Sequence, residues 1–280
     1  MKAVLVLLAT MTAQAFAGWD FVSETRSTDG KGNVVQKMIV KSSVEGEHGK
    51  FVFEEAAGSP MTKTGNYMIT NDGGKTMFIV DPVNKTYSPF DLDSMMKLAG
   101  NMMNMVQGMV KMEFSDPQIE VLEERKGKEI QGMSTTYRKS RTTYEMRMKI
   151  LGMSRVMDVD TVEEVWFTKK LKDTAFGAWL KNDPAPTGNE DLDRLILSQV
   201  KAMDGYPLKL VQTSTTTTWN KKKTKMKDKQ VTQHQTVVTQ MEKKSFKESH
   251  FQIPEGYVRG ESPEEQSGLG SLKDMLKGND

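Results

Sequence analysis

Between Tyr67 and Met112 the spacing of apolar residues changes period, and that change limits what the chain can fold into. Tyr67-Met68-Ile69-Thr70 and the run from Lys75 to Val80 flank Asn71-Asp72-Gly73-Gly74, the pattern of two strands joined by a tight turn. Asp81-Pro82-Val83-Asn84-Lys85 turns the chain again into Thr86-Tyr87. From there the apolar positions are Leu92, Met95, Met96, Ala99, Met102, Met103, Val106, Met109 and Val110, which share one side of a helix. Lys97, Asn101, Asn104 and Lys111 fall opposite, and either Ser88, followed by Pro89, or Asp91 supplies the N-terminal cap. Gly100 and Gly108 each cost about 1 kcal/mol relative to Ala in a helix interior, so such a helix depends on docking its apolar stripe. Methionines repack around irregular shapes, which suits an awkward core gap or a surface that accepts variable apolar ligands; at helical spacing a Met stripe is ordinarily core.

The rest of the chain reads mainly as sheet. Trp19 to Thr28 and Val34 to Ser42 flank the turn Asp29-Gly30-Lys31-Gly32-Asn33, and Phe51-Val52-Phe53 follows. Ile119 to Leu122 resumes strand after the Met-rich segment, and Val162 to Phe167 is a further strand. Tyr144, Met146, Met148 and Ile150 alternate with Glu145, Arg147 and Lys149, as expected of a strand with one face on a core and one in water. Two shorter helices are expected, one capped by Asp173 and gathering Phe176, Trp179 and Leu180, the other capped by Asn189 and gathering Leu192, Leu195, Ile196 and Met203. Tyr206 onward returns to strand, and Thr213 to Trp219 pairs most simply with Gln230 to Glu242 across a lysine-rich tip. The expected organisation is a signal peptide over 1–17, one domain over 18–259 and a disordered tail over 260–280.

Lys2, the apolar run Ala3 to Ala13 and Ala15-Phe16-Ala17 predict an export signal cleaved after Ala17, so a periplasmic or secreted protein. No later stretch offers the roughly 20 apolar residues of a transmembrane helix. The sequence contains no cysteine, which excludes disulfides, thiolate nucleophiles and cysteine metal sites. With 39 basic and 37 acidic residues the balance is nearly neutral, against a mainly electrostatic partner such as nucleic acid. The local run Lys221-Lys222-Lys223, with Lys225, Lys227 and Lys229, reads as a solvated hairpin tip before a phosphate or lipid-headgroup contact.

Little in the sequence suggests covalent chemistry. His48, His234 and His250 have polar neighbours and no metal-ligand spacing. Asp72-Gly73-Gly74-Lys75 lacks the frame of a phosphate loop. Asp158 and Asp160 form a carboxylate pair without an evident base or nucleophile beside it. Asn84-Lys85-Thr86 fits a glycosylation sequon, a pattern common by chance. Met102, Met103, Met105 and Met109 could bind Cu(I), but their place on the face to be buried favours packing. No cofactor, metal or catalytic residue is expected, and the chain reads as non-enzymatic.

Four segments, in order, carry a family likeness: Tyr67 to Pro82, Glu164-Val165-Trp166-Phe167-Thr168, Gly205-Tyr206-Pro207-Leu208-Lys209, and Phe251-Gln252-Ile253-Pro254-Glu255-Gly256-Tyr257. Together they resemble the LolA-like lipoprotein-sorting fold, most closely an uncharacterised group of secreted bacterial proteins assigned to it. The resemblance implies an α+β fold, a large curved antiparallel β-sheet (an incomplete barrel) closed by a long Met-rich amphipathic helix and two shorter helices. It further implies a carrier or binding protein for a lipid, a lipoprotein acyl chain or another apolar ligand. Met95, Met96, Met102, Met103, Val106 and Met109 would line one side of the hollow, and Phe78, Val80, Tyr144, Met146, Met148 and Trp166 the other. The competing expectation is an envelope protein–protein interaction module with a filled core.

Overall fold

The computed structural model describes residues 18–59, 62–90, 110–150, 153–171 and 205–260, and the single positions 190, 193, 194 and 197. Thirteen strands run through these residues and all join one sheet. They are β1 (Gly18–Thr28), β2 (Val34–Glu45), β3 (His48–Ala57), β4 (Tyr67–Thr70), β5 (Met77–Asp81), β6 (Thr86–Phe90) and β7 (Val110–Phe114). β8 (Gln118–Lys126), β9 (Thr136–Ile150), β10 (Met153–Thr168), β11 (Tyr206–Asn220), β12 (Met226–Lys244) and β13 (Val258–Arg259) complete the set. The order across the sheet is β13-β6-β5-β4-β3-β2-β1-β12-β11-β10-β9-β7, with β8 pairing β9 beside β7. Every pairing is antiparallel except that of β13 with β6.

This corrects the expected α+β class. Among the described residues there is no helix of seven or more residues, only two short 3-10 turns at Lys169–Leu171 and Glu248–Phe251 and isolated helical positions such as Glu190. The methionine-rich helix is corrected at both ends. Ser88 and Pro89, the expected cap and first turn, lie in β6, where Ser88 pairs Ile79 and Pro89 pairs Phe78. Val110 and Lys111 lie in β7, opposite Ile150 and Lys149. Proline is tolerated here because β13 pairs β6 only at Thr86 and Tyr87, so no outer strand asks Pro89 for an N–H. The returning hairpin therefore keeps the backbone extended as far as Phe90, whose ring is buried. Residues 91–109, which carry Met95, Met96, Met102, Met103, Val106 and Met109, lie outside the described residues, as do most positions of the two shorter helices.

Hairpin connections place most neighbours in sequence side by side, and side-chain-to-backbone hydrogen bonds tighten the turns, those of Asp72 and Asp29 among them. Asp72 accepts from the Thr76 N–H at 2.9 Å and from the Thr70 hydroxyl at 3.0 Å. Asp29 accepts from the Lys31 and Asn33 N–H groups, both at 2.9 Å. The Asn33 side-chain amide, donating to Asp29 at 2.9 Å, and then these backbone N–H groups hold the Asp29 carboxylate below the ordinary Asp range; for Asp72 burial opposes, and the bonds from Thr76 and Thr70 outweigh it.

Two clusters hold the sheet. The larger gathers Phe21, Val44, Phe51, Met77, Phe90, Leu171, Tyr206, Leu208 and Val238 with Ile130 and Met133. Phe21 and Tyr206 meet edge to face with ring centroids 5.6 Å apart. The smaller lies on the other face of β4 and β5, where Tyr67, Ile69 and Val80 pack with Phe78, Tyr87, Ile253 and Tyr257. The chain after β12 thus crosses that face, which is why residues of alternating parity are buried on both sides of the Tyr67–Asp81 hairpin.

Candidate ligand-binding cavity

A cavity of about 330 Å³ opens on the first face, over β12, β1, β2, β3, β4, β5 and β6. The register explains its walls. Ser23 stands between Val40 of β2 and Val238 of β12, and Thr25 between Met38 and Thr236. Farther along, Val40 faces Phe53, Ser42 faces Phe51, Phe51 faces Met68, and Met77 faces Phe90. All of these line the cavity, with Thr70, Gly74, Tyr206 and Pro207 at its margins. β-bulges lie between Val22 and Ser23 and between Ile39 and Val40, beside this wall, where an extra residue re-aims the side chains of a strand.

No charged side chain reaches the lining, whose polar members are hydroxyls. The Thr25 and Thr236 hydroxyl oxygens lie 3.0 Å apart and satisfy one another. The Thr70 hydroxyl donates to Asp72 and accepts from the Gly74 N–H at 2.9 Å. Burial pushes the Tyr206 hydroxyl far up, so it stays protonated at any physiological pH. The Ser23 and Ser42 hydroxyls make no hydrogen bond among the described residues, which leaves two polar handles in an apolar room.

The side chains singled out from the sequence fall elsewhere. Phe78 and Val80 alternate with Met77 along β5 and join the cluster on the opposite face, Phe78 edge-on to Tyr87 at 5.9 Å. Trp166 packs against the larger cluster without reaching the cavity lining, 4.8 Å from the Tyr137 ring and with the Lys209 ammonium 4.8 Å from its own. Tyr144, Met146 and Met148 share the cavity's face by register, but on β9, three strands beyond β12. There Tyr144 pairs Val159 and lies 6.4 Å from Phe114. None of the six lines the cavity.

The other sequence candidates are committed to structure. Asp158 accepts from Trp219 Nε1 at 2.9 Å and Lys223 Nζ at 2.7 Å. Asp160 forms a two-point pair with Arg141, which holds its carboxyl low. His48 Nδ1 lies 2.9 Å from Asn71 Oδ1, and its ring stacks on Phe251 at 5.5 Å. His234 Nδ1 lies 3.0 Å from the Ser27 hydroxyl, and burial lowers its pKa. His250 stacks on Phe246 at 4.9 Å, its buried Nε2 has no partner among the described residues, and burial together with Lys50 lowers its pKa. Among the described residues no three His, Cys, Asp or Glu side chains converge as a metal site, and no helix is long and apolar enough to cross a membrane.

No protein-family model and no curated protein matches the chain. Among solved structures, the structure of PNGF-II in the C2 space group aligns with it at a TM-score of 0.34 and 13% identity. The alignment covers 93% of this chain and 33% of that one, so the chain spans about a third of the matched structure's length. At that score the likeness carries no argument about what the chain does.

Proposed function

We propose that the chain is a non-catalytic binding protein for an apolar small molecule or the acyl chain of a lipid, held in the cavity between β12 and β6. The observation that carries this reading is a room of about 330 Å³ with aromatic, aliphatic and methionine walls and no charge in its lining. A volume of that size falls at the lower end of small-ligand sites, and a few hydroxyls in an apolar lining are the usual means of orienting a mostly hydrophobic guest. The resemblance to LolA-like carriers and an export signal over residues 1–17 are consistent with a periplasmic or secreted carrier. The test is mass spectrometry of an organic extract of the purified protein beside a Ser23→Phe variant. A stoichiometric lipid or other apolar compound present only in the first supports the reading. A clean extract from protein that also takes up no added alkanol sinks it.

A second reading, pairing with another protein, rests on β8. All nine of its residues are exposed, and Ile119, Val121 and Leu122 are 40%, 56% and 44% exposed along an outer edge of the sheet. A bulge at Leu122 and the charges Glu120, Glu123, Glu124, Arg125 and Lys126 oppose such pairing. Pull-down that survives Val121→Lys would remove this reading.

A further inference from the structure

The long hairpins gather positive charge at one end. Arg155 of β10 lies opposite both Met148 of β9 and Asn220 of β11, which sets the β9–β10 and β11–β12 turns side by side. The described residues at these two ends, 147–150, 153–155 and 219–229, carry nine basic side chains and the single carboxylate Asp228. That is an excess of eight in a chain whose overall excess is two, so the remainder is net acidic. Glu145 and Asp158 lie just behind this end, and both pair with Lys223, at 3.1 and 2.7 Å. Lys221, Lys222, Lys225 and Lys227 are exposed and make no ion pair among the described residues.

β12 pairs β1 only from Gln233 onward, and the β1–β2 turn reaches Val231 through Gly30. The residues from Met226 to Gln230 and the turn before them therefore project past the neighbouring hairpin, by about 15 Å at the ordinary rise of a strand. Within the projection Met226 is 53% exposed and Val231 at its base 37%.

We infer that this projecting end is a docking surface for an anionic lipid bilayer. The proposal goes beyond the cavity reading and holds or fails separately from it. A cluster of this many cations attracts acidic headgroups through their summed field. An exposed methionine among the lysines adds an apolar side chain that can enter the interface. Seven of the nine cations are lysines, compact hydrated charges suited to a diffuse lipid surface rather than to two-point recognition of one phosphate or base. The aromatic side chain at this end, Trp219, has its indole N–H bound to Asp158 and is half-buried, so the tip offers nucleic acid little to stack on.

The experiment is co-sedimentation of the full chain with vesicles of phosphatidylcholine alone and with about one lipid in three replaced by phosphatidylglycerol. Lys221→Gln, Lys222→Gln and Lys225→Gln, combined in one variant, sit in a turn and leave every strand pair intact, and any pull of the apolar residues 3–13 is common to both proteins. Selective binding to the acidic vesicles is expected, lost on adding salt and weakened about fivefold per lysine, on the order of a hundredfold for the triple variant. Met226→Ser should weaken it further without changing its salt dependence. Equal partition onto neutral vesicles, no partition onto acidic ones, or full retention by the triple variant overturns the proposal. So does binding of a single-stranded RNA homopolymer by protein that ignores the vesicles.

Discussion

The cavity makes a quantitative demand on any homologous series of ligands. At water's share of liquid volume, about 30 Å³, the observed 330 Å³ has room for roughly ten methylene-sized groups. Each buried CH2 contributes about 0.8 kcal/mol, close to fourfold in the dissociation constant. Ten such groups give about 8 kcal/mol, and association costs at least about 4 kcal/mol of translational and rotational freedom. The remainder corresponds to a dissociation constant near 1 mM for a bare chain of about ten carbons. A hydrogen bond to the Ser23 or Ser42 hydroxyl would lower it by about tenfold. Titration calorimetry with 1-alkanols should therefore show affinity rising about fourfold per carbon and levelling off near ten, with a negative heat-capacity change. Ser23→Phe places six ring carbons in that room and should move the plateau down to about four carbons. Affinity that ignores chain length, keeps rising well past the plateau, or is untouched by Ser23→Phe would refute the assignment of this cavity.

Other outcomes follow from single contacts. Leu208 has no exposed surface, and Leu208→Ala should cost about 2–5 kcal/mol in urea unfolding. Gly205 sits at φ +141°, and a Cβ there would meet the Thr168 carbonyl oxygen at 2.7 Å, so Gly205→Ala should lower stability by about 1–3 kcal/mol. His234 and His250 are held below the ordinary value of 6.5 by burial, so the unfolded chain takes up their protons first as pH falls. Their contribution is complete above the unfolded pKa and is lost as pH falls through the lower folded values; His250→Phe should flatten that slope in urea midpoints measured across the window. The carboxylates of Asp29, Asp72, Asp81 and Asp160, held low, lose their contribution only in a separate, more acid window below 3.8.

Strands and turns with local signals were legible in the sequence. The Asn71-Asp72-Gly73-Gly74 turn, the alternating Tyr144–Ile150 strand and the Thr-rich strand folding back across the lysine tip follow from residue chemistry within a few positions. Two things were not. Met77-Phe78-Ile79-Val80 is apolar at every position, so period-two reasoning cannot say which half faces the cavity, and packing of Ile253 and Tyr257 from far along the chain decides it. Pro89 after Ser88 carries a helix-start signal, yet a long-range ladder to β5 overrides it. The hydroxyl side of the cavity also escaped, because Ser23, Ser42 and Thr236 look like ordinary solvent-facing strand residues until β1 is placed between β2 and β12.

That placement has a consequence for the order of events during folding. β1 begins at Gly18, which pairs with Lys244, so this strand finds one of its two partners only after the whole stretch from β2 to β12 exists. Until then the hairpins from β1 to β6 and from β9 to β11 each present an open edge, and the cavity wall at Thr236 and Val238 is missing. Closure of so long a loop is entropically slow, so the complete sheet should form late and cooperatively, after synthesis rather than during it. A chain that matures this way stays threadable while it is made and is most prone to misassociate in the interval before β12 arrives.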